Sequence, residues 1–443
     1  MPEVEIPPDW REVLKNNGEK LYPLYASPEI NQLVAKANQK YLHWEKFKFQ
    51  PIPGGASPTL AWAFLKMTRL GNRETLPIKD ERGQPFSVFL TKEHLKTLSY
   101  IDSYSSGVIA SKEQFPSAHQ RDRLVISGLM EEAISSSQIE GANTTRKAAK
   151  AMIELKRKPN NHSERMIYNN YLAMTHLEEW KSRPLDTQFL LELHSVLSKG
   201  TMENQEDEGR IRTDADEVVV SDKLTGEVVH VPPKAKEAHA QLQQLYAFAN
   251  DDSEEGYIHP FVKASILHFC LAYIHPFVDG NGRSARALFY WYLLKKDYWM
   301  FKFLPISLQI KKKGWRPGYD RAFQYVETDE GDLTYFLNYK VKLAQNAIED
   351  FIKYLGKKQR EANHLKERLL VNDEINQRQL ELIELLQRNP NIDVDIEGHR
   401  ERCGIVYQTA RTDLLGLKKL GILRQVRKGR KYTFARGENF PSH

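Results

Sequence analysis

Apolar side chains recur every three to four residues between Lys96 and Val262, as in Leu124, Ile126, Leu129, Met130, Ala133 and Ile134, and again in Phe189, Leu190, Leu193, Val196 and Leu197. That spacing puts one apolar stripe on a helix and predicts a helical bundle. One stretch departs from it. Glu217 to Val220 and Val228 to Val231 are β-branched runs around the turn-like Asp222 to Gly226, predicting a β-hairpin over 217–231 closed by Pro232 and Pro233. A long apolar helix is expected over Phe261–Ile274, then a polar glycine-containing loop, then a helix from about Arg283 to Lys295. Residues 1–95 carry short helical patterns broken by Pro7, Pro8, Pro51, Pro53, Gly54 and Gly55, and read as an accessory N-terminal region ahead of a core at 96–345. A polar helical connector follows at 346–374. The last segment, 375–443, predicts helices at Arg378–Leu386, Asp395–Arg402 and Tyr407–Leu420 and a hairpin at Leu423–Phe434 around Lys428 and Gly429.

With 443 residues, 41% hydrophobic and 28% charged, the chain is globular rather than disordered. No run approaches the ~20 apolar residues that span a bilayer. The start, Met1-Pro2-Glu3, is acidic where a secretory signal is basic, so a cytoplasmic protein without a membrane partner is expected. Cys270 and Cys403, the two cysteines, lack metal-ligand spacing. Net charge is +6, but Glu397 to Arg436 holds eleven Lys and Arg against three acids. The basic character therefore belongs to the C-terminal segment.

The loop between the two central helices reads His275, Pro276, Phe277, Val278, Asp279, Gly280, Asn281, Gly282, Arg283, Ser284, Ala285, Arg286. Two glycines around an asparagine let successive N–H groups turn toward one anionic oxygen. The loop opens into a helix N-terminus, which favours the same charge. Arg283 and Arg286, three apart, can share a face as phosphate donors. Asp279 is the hard carboxylate that magnesium uses beside phosphates, and His275 can act as a general base. The set points to nucleotidyl or phosphoryl transfer. It is neither a P-loop nor a Rossmann fingerprint. His259-Pro260-Phe261-Val262 repeats the opening without the glycines, so His259, and likewise His268, are given structural roles.

His275 to Arg286 matches HxFx(D/E)GNGRxxR in full, and the chain here resembles the Fic domain family. The resemblance covers about Arg121 to Lys342. It implies an all-α core with a β-hairpin flap and the transfer of AMP from ATP to a protein hydroxyl. His275 would be the base and Asp279 the Mg2+ ligand. Gly280, Asn281 and Gly282 would form the phosphate nest, Arg283 and Arg286 the clamps on the β and γ phosphates, and Phe277 a buried anchor. Gly282 favours AMP transfer over phosphorylation, since the phosphorylating relatives carry a lysine there. Tyr319 falls near the family's adenine site, although Gly318 replaces the first tyrosine of the usual pair.

Upstream, Ser136 to Gly141 resembles the inhibitory motif (S/T)xxxE(G/N), which implies that helix 121–141 brings Ser136 and Glu140 to the site and that Glu140 competes with the γ phosphate for Arg286. In some relatives the same glutamate assists removal of AMP. The flap would align an extended target segment through backbone hydrogen bonds. The sequence does not name the target, and leaves open self-modification and a homodimer. The C-terminal segment resembles a winged helix-turn-helix, with Val406 where a Ser cap is common; it suits DNA or a protein partner. The competing reading is a DNA-binding transcription regulator whose body serves as a nucleotide sensor or scaffold.

Overall fold

The computed structural model describes residues 4–105, 118–155, 157–221, 226–368, 375–388, 392–428 and 431–441. The flap turn expected at 222–225, the connector's 369–374 and the hairpin tip at Gly429 and Arg430 lie outside the described residues. The chain divides into two compact units: Met1–Ser111 with Leu124–Ile348, and Lys112–Arg123 with Glu349–His443.

The first unit opens with α1 (Trp10–Asn16), α2 (Leu21–Ala26), α3 (Pro28–Lys40), α4 (Trp44–Phe47) and α5 (Pro58–Leu70). Ser27 and Ser57 cap α3 and α5, each followed by a proline at the first turn. A hairpin that the sequence pattern did not suggest follows, β1 (Glu74–Lys79) and β2 (Pro85–Val88). Residues 4–95 are not a detached appendage. Arg73 and the Tyr41 hydroxyl each lie 2.6 Å from Asp332, and Lys66 pairs with Asp329, all in buried positions. These contacts tie the N-terminal segment to the later chain.

The central helices are α6 (Lys92–Ser105), α7 (Ala118–Ile139), α8 (Arg146–Glu154), α9 (His162–Trp180) and α10 (Thr187–Ser198). The flap follows as β3 (Val220–Ser221) and β4 (Val228–His230), antiparallel and short. Next come α11 (Ala235–Asn250), α12 (Pro260–Ile274), α13 (Asn281–Lys295), α14 (Ile306–Lys311), α15 (Arg316–Thr328) and α16 (Thr334–Arg368). Nearly every residue of α12 and α13 is buried. They pack on each other, with α9 and α10 against α13 and α11 against α12. A rigid α12–loop–α13 hairpin thus sits at the centre of the unit.

In the second unit, α17 (Gln377–Arg388), α18 (Ile396–Cys403) and α19 (Tyr407–Lys419) precede the hairpin β5 (Leu423–Lys428) and β6 (Lys431–Arg436). Val394 adds a bridge to Phe434. Leu382, Ile383, Leu414, Leu417 and Phe434 form its core. Buried Asp413 ties three helices by accepting from Asn376 (2.7 Å), Arg378 (2.8 Å) and His399 (3.3 Å). Val406 provides no side-chain cap for α19. Among the described residues no helix is long and apolar enough to cross a membrane.

Candidate active site

α12 ends where His275 adopts a left-handed backbone conformation (φ 51°, ψ 56°), which is uncommon without glycine. The turn carries its imidazole back over the helix, with Nδ1 3.1 Å from the Ala272 carbonyl. A carbonyl only accepts, so Nδ1 bears the proton and Nε2 of the neutral ring is left as a base. Burial pushes the imidazole down to about 4, opposed by the Ala272 hydrogen bond and by Glu140. The ring is therefore neutral at pH 7.

The loop is braced from behind. Asn281 Oδ1 accepts from the Phe277 N–H (2.9 Å) while its Nδ2 donates to the Phe277 carbonyl (2.8 Å). This buried side chain copies a strand partner and closes the turn. Phe277 is fully buried and stacks on His194, with ring centres 3.7 Å apart. Because His194 Nδ1 accepts from the Gly209 N–H, its Nε2 donates to the Asp279 carbonyl at 2.9 Å. Arg212 holds the other side: its Nε donates to the His275 carbonyl and its N–H to that of Pro276, both at 2.8 Å.

Gly280 caps α13 at φ 84° without a side-chain hydrogen bond. A Cβ there would stand 3.3 Å from both His194 Nε2 and Arg283 Nη2, so the tight turn requires glycine. The first N–H groups of α13, at Asn281, Gly282 and Arg283, have no partner within the helix, and its dipole adds positive potential. This end is built for an anion.

The two arginines differ. Arg283 is fully buried, donating to the Leu197 carbonyl (2.9 Å) and to Asp279 (3.0 Å). The Asp279 side chain is about half exposed (55%). Arg286 donates through Nε to Ser136 Oγ (2.8 Å), and through Nη2 to the Ser136 carbonyl (3.0 Å) and Glu140 Oε1 (2.8 Å). Burial works against its charge, and Glu140 together with Tyr319 and Glu132 outweighs burial, raising its pKa. The Glu140 carboxylate also lies directly over Gly282, where an added Cβ would collide with Oε1. A negative group thus occupies the place that the helix end favours.

Glu140 is delivered by a firmly docked α7. Buried Glu132 accepts from Tyr290 (2.9 Å) and the Ser307 N–H (2.8 Å), and Asn170 of α9 donates to Ser137 Oγ (3.2 Å) and the Ala133 carbonyl (3.3 Å). At Gly128 the helix passes so close to the 302–303 backbone that a Cβ would be 2.5 Å from the Lys302 oxygen. Tyr319 lies in the core, its hydroxyl 2.9 Å from His268 Nε2. His259 caps α12 and meets Asp102 at 3.0 Å.

The sequence-derived set His275, Asp279, Gly280, Asn281, Gly282, Arg283, Arg286, Ser136 and Glu140 converges on this one place. Sequence reasoning missed His194, Arg212, Glu132, Asn170 and, on the flap, His230. A histidine on the apolar stripe of Phe189, Leu190, Leu193 and Leu197 was the readable signal for His194.

Residues 184–293 match the Fic/DOC family. The chain is 25% identical over 226 residues to the protein adenylyltransferase Fic of Nematostella vectensis, covering 49% of this chain and 47% of that one. It is 36% identical over 124 residues to the protein adenylyltransferase Fic of Drosophila virilis, covering 28% of this chain and 23% of that one. The chain thus spans about half or less of these relatives' lengths. Among solved structures, Fic-1 of Caenorhabditis elegans superposes with a TM-score of 0.50 at 19% identity, over 79% of this chain and 97% of that one, a likeness of fold.

Proposed function

We propose that this chain is a self-inhibited protein adenylyltransferase that moves AMP from ATP to a hydroxyl of a protein. The observation that carries the reading is the Glu140 carboxylate, seated over Gly282 and paired with Arg286 at 2.8 Å, at a helix end that attracts anions. The relatives named as adenylyltransferases support the choice of AMP.

In the proposed reaction the triphosphate lies along the N–H groups of residues 281–283, with Arg286, once released by Glu140, on the γ phosphate. Arg283 holds Asp279 in place. The acceptor oxygen attacks the α phosphorus, its proton passes to His275 Nε2, and the bond to pyrophosphate breaks. His275 suits this step because its other nitrogen is committed to Ala272 and its ring is uncharged. Asp279 would hold Mg2+. One half-exposed carboxylate, with no cluster of three or more acidic, His or Cys ligands among the described residues, fits an ion that takes the rest of its shell from phosphates and water. When bound, magnesium neutralises charge on the leaving pyrophosphate.

The test is incubation of Glu140→Gly with ATP and Mg2+. Label in the α phosphate should become protein-bound, label in the γ phosphate should not, and His275→Ala should abolish incorporation of the α label. γ label retained on protein would refute AMP transfer.

A second reading applies to the C-terminal unit, read as a winged helix that contacts nucleic acid. The face of α19 bearing Gln408, Arg411, Thr412, Leu415, Lys418 and Lys419 is exposed, while the helix's one acid, Asp413, is buried. An outward face with cations and no acid suits a phosphate backbone. Binding to duplex DNA that weakens steeply with salt supports it; no retention even at low salt rejects it.

A further inference from the structure

His230, on the short strand β4, reaches back from the flap toward the end of α12. Its Nε2 lies 2.8 Å from the Tyr273 carbonyl and its Nδ1 3.0 Å from a carboxylate oxygen of Glu327 on α15. Both partners only accept, so both ring nitrogens donate, and an imidazole with two N–H groups is an imidazolium. Tyr273 stands two residues before His275, and its carbonyl belongs to the last turn of α12, where orphan carbonyls and the helix dipole favour a cation. The ring centres of His230 and His275 are 6.5 Å apart. One is therefore a cation and the other a free base, in neighbouring positions on either side of the flap's root.

We propose that His230 is a positioning residue for the transfer reaction: as a doubly donating cation it bolts the flap to the helix end that carries His275, and places a positive charge beside that base. The proposal rests on the adenylyltransferase reading for its function, though not for its geometry. The flap needs such a bolt. Its paired strands are only two and three residues long, and besides His230 the flap's return is gripped by Arg212, which donates to the Pro233 carbonyl. An acceptor segment laid along a flap free to swing would not keep its hydroxyl within reach of Nε2, and orientation of this kind is a large part of catalysis.

The charges around His230 are consistent with its being a cation. Glu327 faces it from α15 and Glu81 from the β1–β2 turn, and the Tyr273 and His275 rings lie 5.1 and 6.5 Å away between centres. Burial disfavours the charge, and Glu327, the Tyr273 carbonyl and Glu81 together outweigh it, raising the His230 pKa above its ordinary value. In turn, after burial and the Ala272 bond, the His230 charge is the next influence on His275, and it lowers that ring's affinity for a proton.

The experiment is side-chain nitrogen NMR of the full chain labelled at histidine, in wild type and His230→Gln, followed by rate-against-pH profiles in a Glu140→Gly background. At pH 7 one histidine should show two protonated nitrogens, and that signal should vanish in His230→Gln. The His275 titration should then move up by roughly one pH unit, the size expected for losing a charge at this distance in a partly solvated site. In the rate profiles the acidic limb should rise by the same amount and the KM for acceptor protein should increase; His230→Arg should restore the acidic limb. Glu327→Gln provides an independent variant, in which His230 should lose its second proton at pH 7. A His230 that is singly protonated at pH 7 in wild type, or a His275 titration unmoved in His230→Gln, overturns the proposal. Shifts as described in a protein that transfers no AMP would instead refute the adenylyltransferase reading and leave the link between the two histidines standing.

Discussion

Replacing Glu140 by glycine separates two quantities that usually move together. The carboxylate holds Arg286 by a 2.8 Å charge-assisted bond, and Arg286 is only 4% exposed while the Glu140 side chain is 24% exposed. A hydrogen bond between charged groups contributes about 2 to 3 kcal/mol net. If ATP must displace that bond to place its γ phosphate, its removal should raise the rate of AMP transfer roughly 30- to 150-fold. The same change leaves a buried guanidinium with Ser136 alone among these partners, so folding stability should fall by about 1 to 3 kcal/mol. Activity and stability should thus move in opposite directions. Glu140→Gln, which keeps the shape but not the charge, should give an intermediate rate. Initial rates of labelled AMP incorporation and denaturant unfolding of the three proteins measure both effects. Equal rates in wild type and Glu140→Gly would refute the competition, and a rise without loss of stability would refute the assigned role of the ion pair.

Asn281→Ala removes both hydrogen bonds that close the loop on Phe277; leaving two buried backbone groups unpaired should cost about 2 to 4 kcal/mol in urea unfolding. Gly128→Ala drives a Cβ onto the Lys302 and Phe303 backbone, so stability should drop by about 1 to 3 kcal/mol and, because α7 carries the blocking acid, AMP transfer by the otherwise wild-type chain should rise several-fold. Acid should destabilise the fold. Burial pushes His43, His94 and His194 down to about 4, so between 6.5 and 4 the unfolded chain takes up protons that the folded chain does not, and stability falls as pH falls through that window. Each should contribute about 2 kcal/mol less at pH 5 than at pH 7, readable as a falling Tm that replacement of His43 by a neutral residue makes shallower.

The loop from His275 to Arg286 was legible because its chemistry is contiguous: glycines, a carboxylate and two arginines stand in an order that one helix N-terminus makes sense of. What the order did not reveal is how the parts are held. Asn281 reads as part of a phosphate nest, yet its side chain braces Phe277; Arg283 reads as an outward clamp, yet it lies buried on Leu197 and Asp279. His194, Arg212 and Asn170 act across tens of residues of sequence, and no local pattern distinguishes a buried polar group with a distant partner from an exposed one. The β1–β2 hairpin escaped because Pro77 interrupts its first strand, although Leu76, Ile78, Phe86 and Val88 supply a buried face. Helix ends in the C-terminal unit were more readable: Asp395 caps α18 through the Gly398 N–H, and Gly404 closes it at φ 60°, both signals with a local cause.

On this proposal the start of α13 holds a nucleotide triphosphate beside His275 once Glu140 is gone. A crystal structure of Glu140→Gly soaked with ATP and magnesium tests it most directly. Phosphate oxygens are expected on the N–H groups of residues 281–283, with Arg286 turned onto the γ phosphate and the α phosphorus within reach of a hydroxyl placed at His275 Nε2. A helix end without nucleotide in that variant, or a triphosphate seated elsewhere on the molecule, would contradict it.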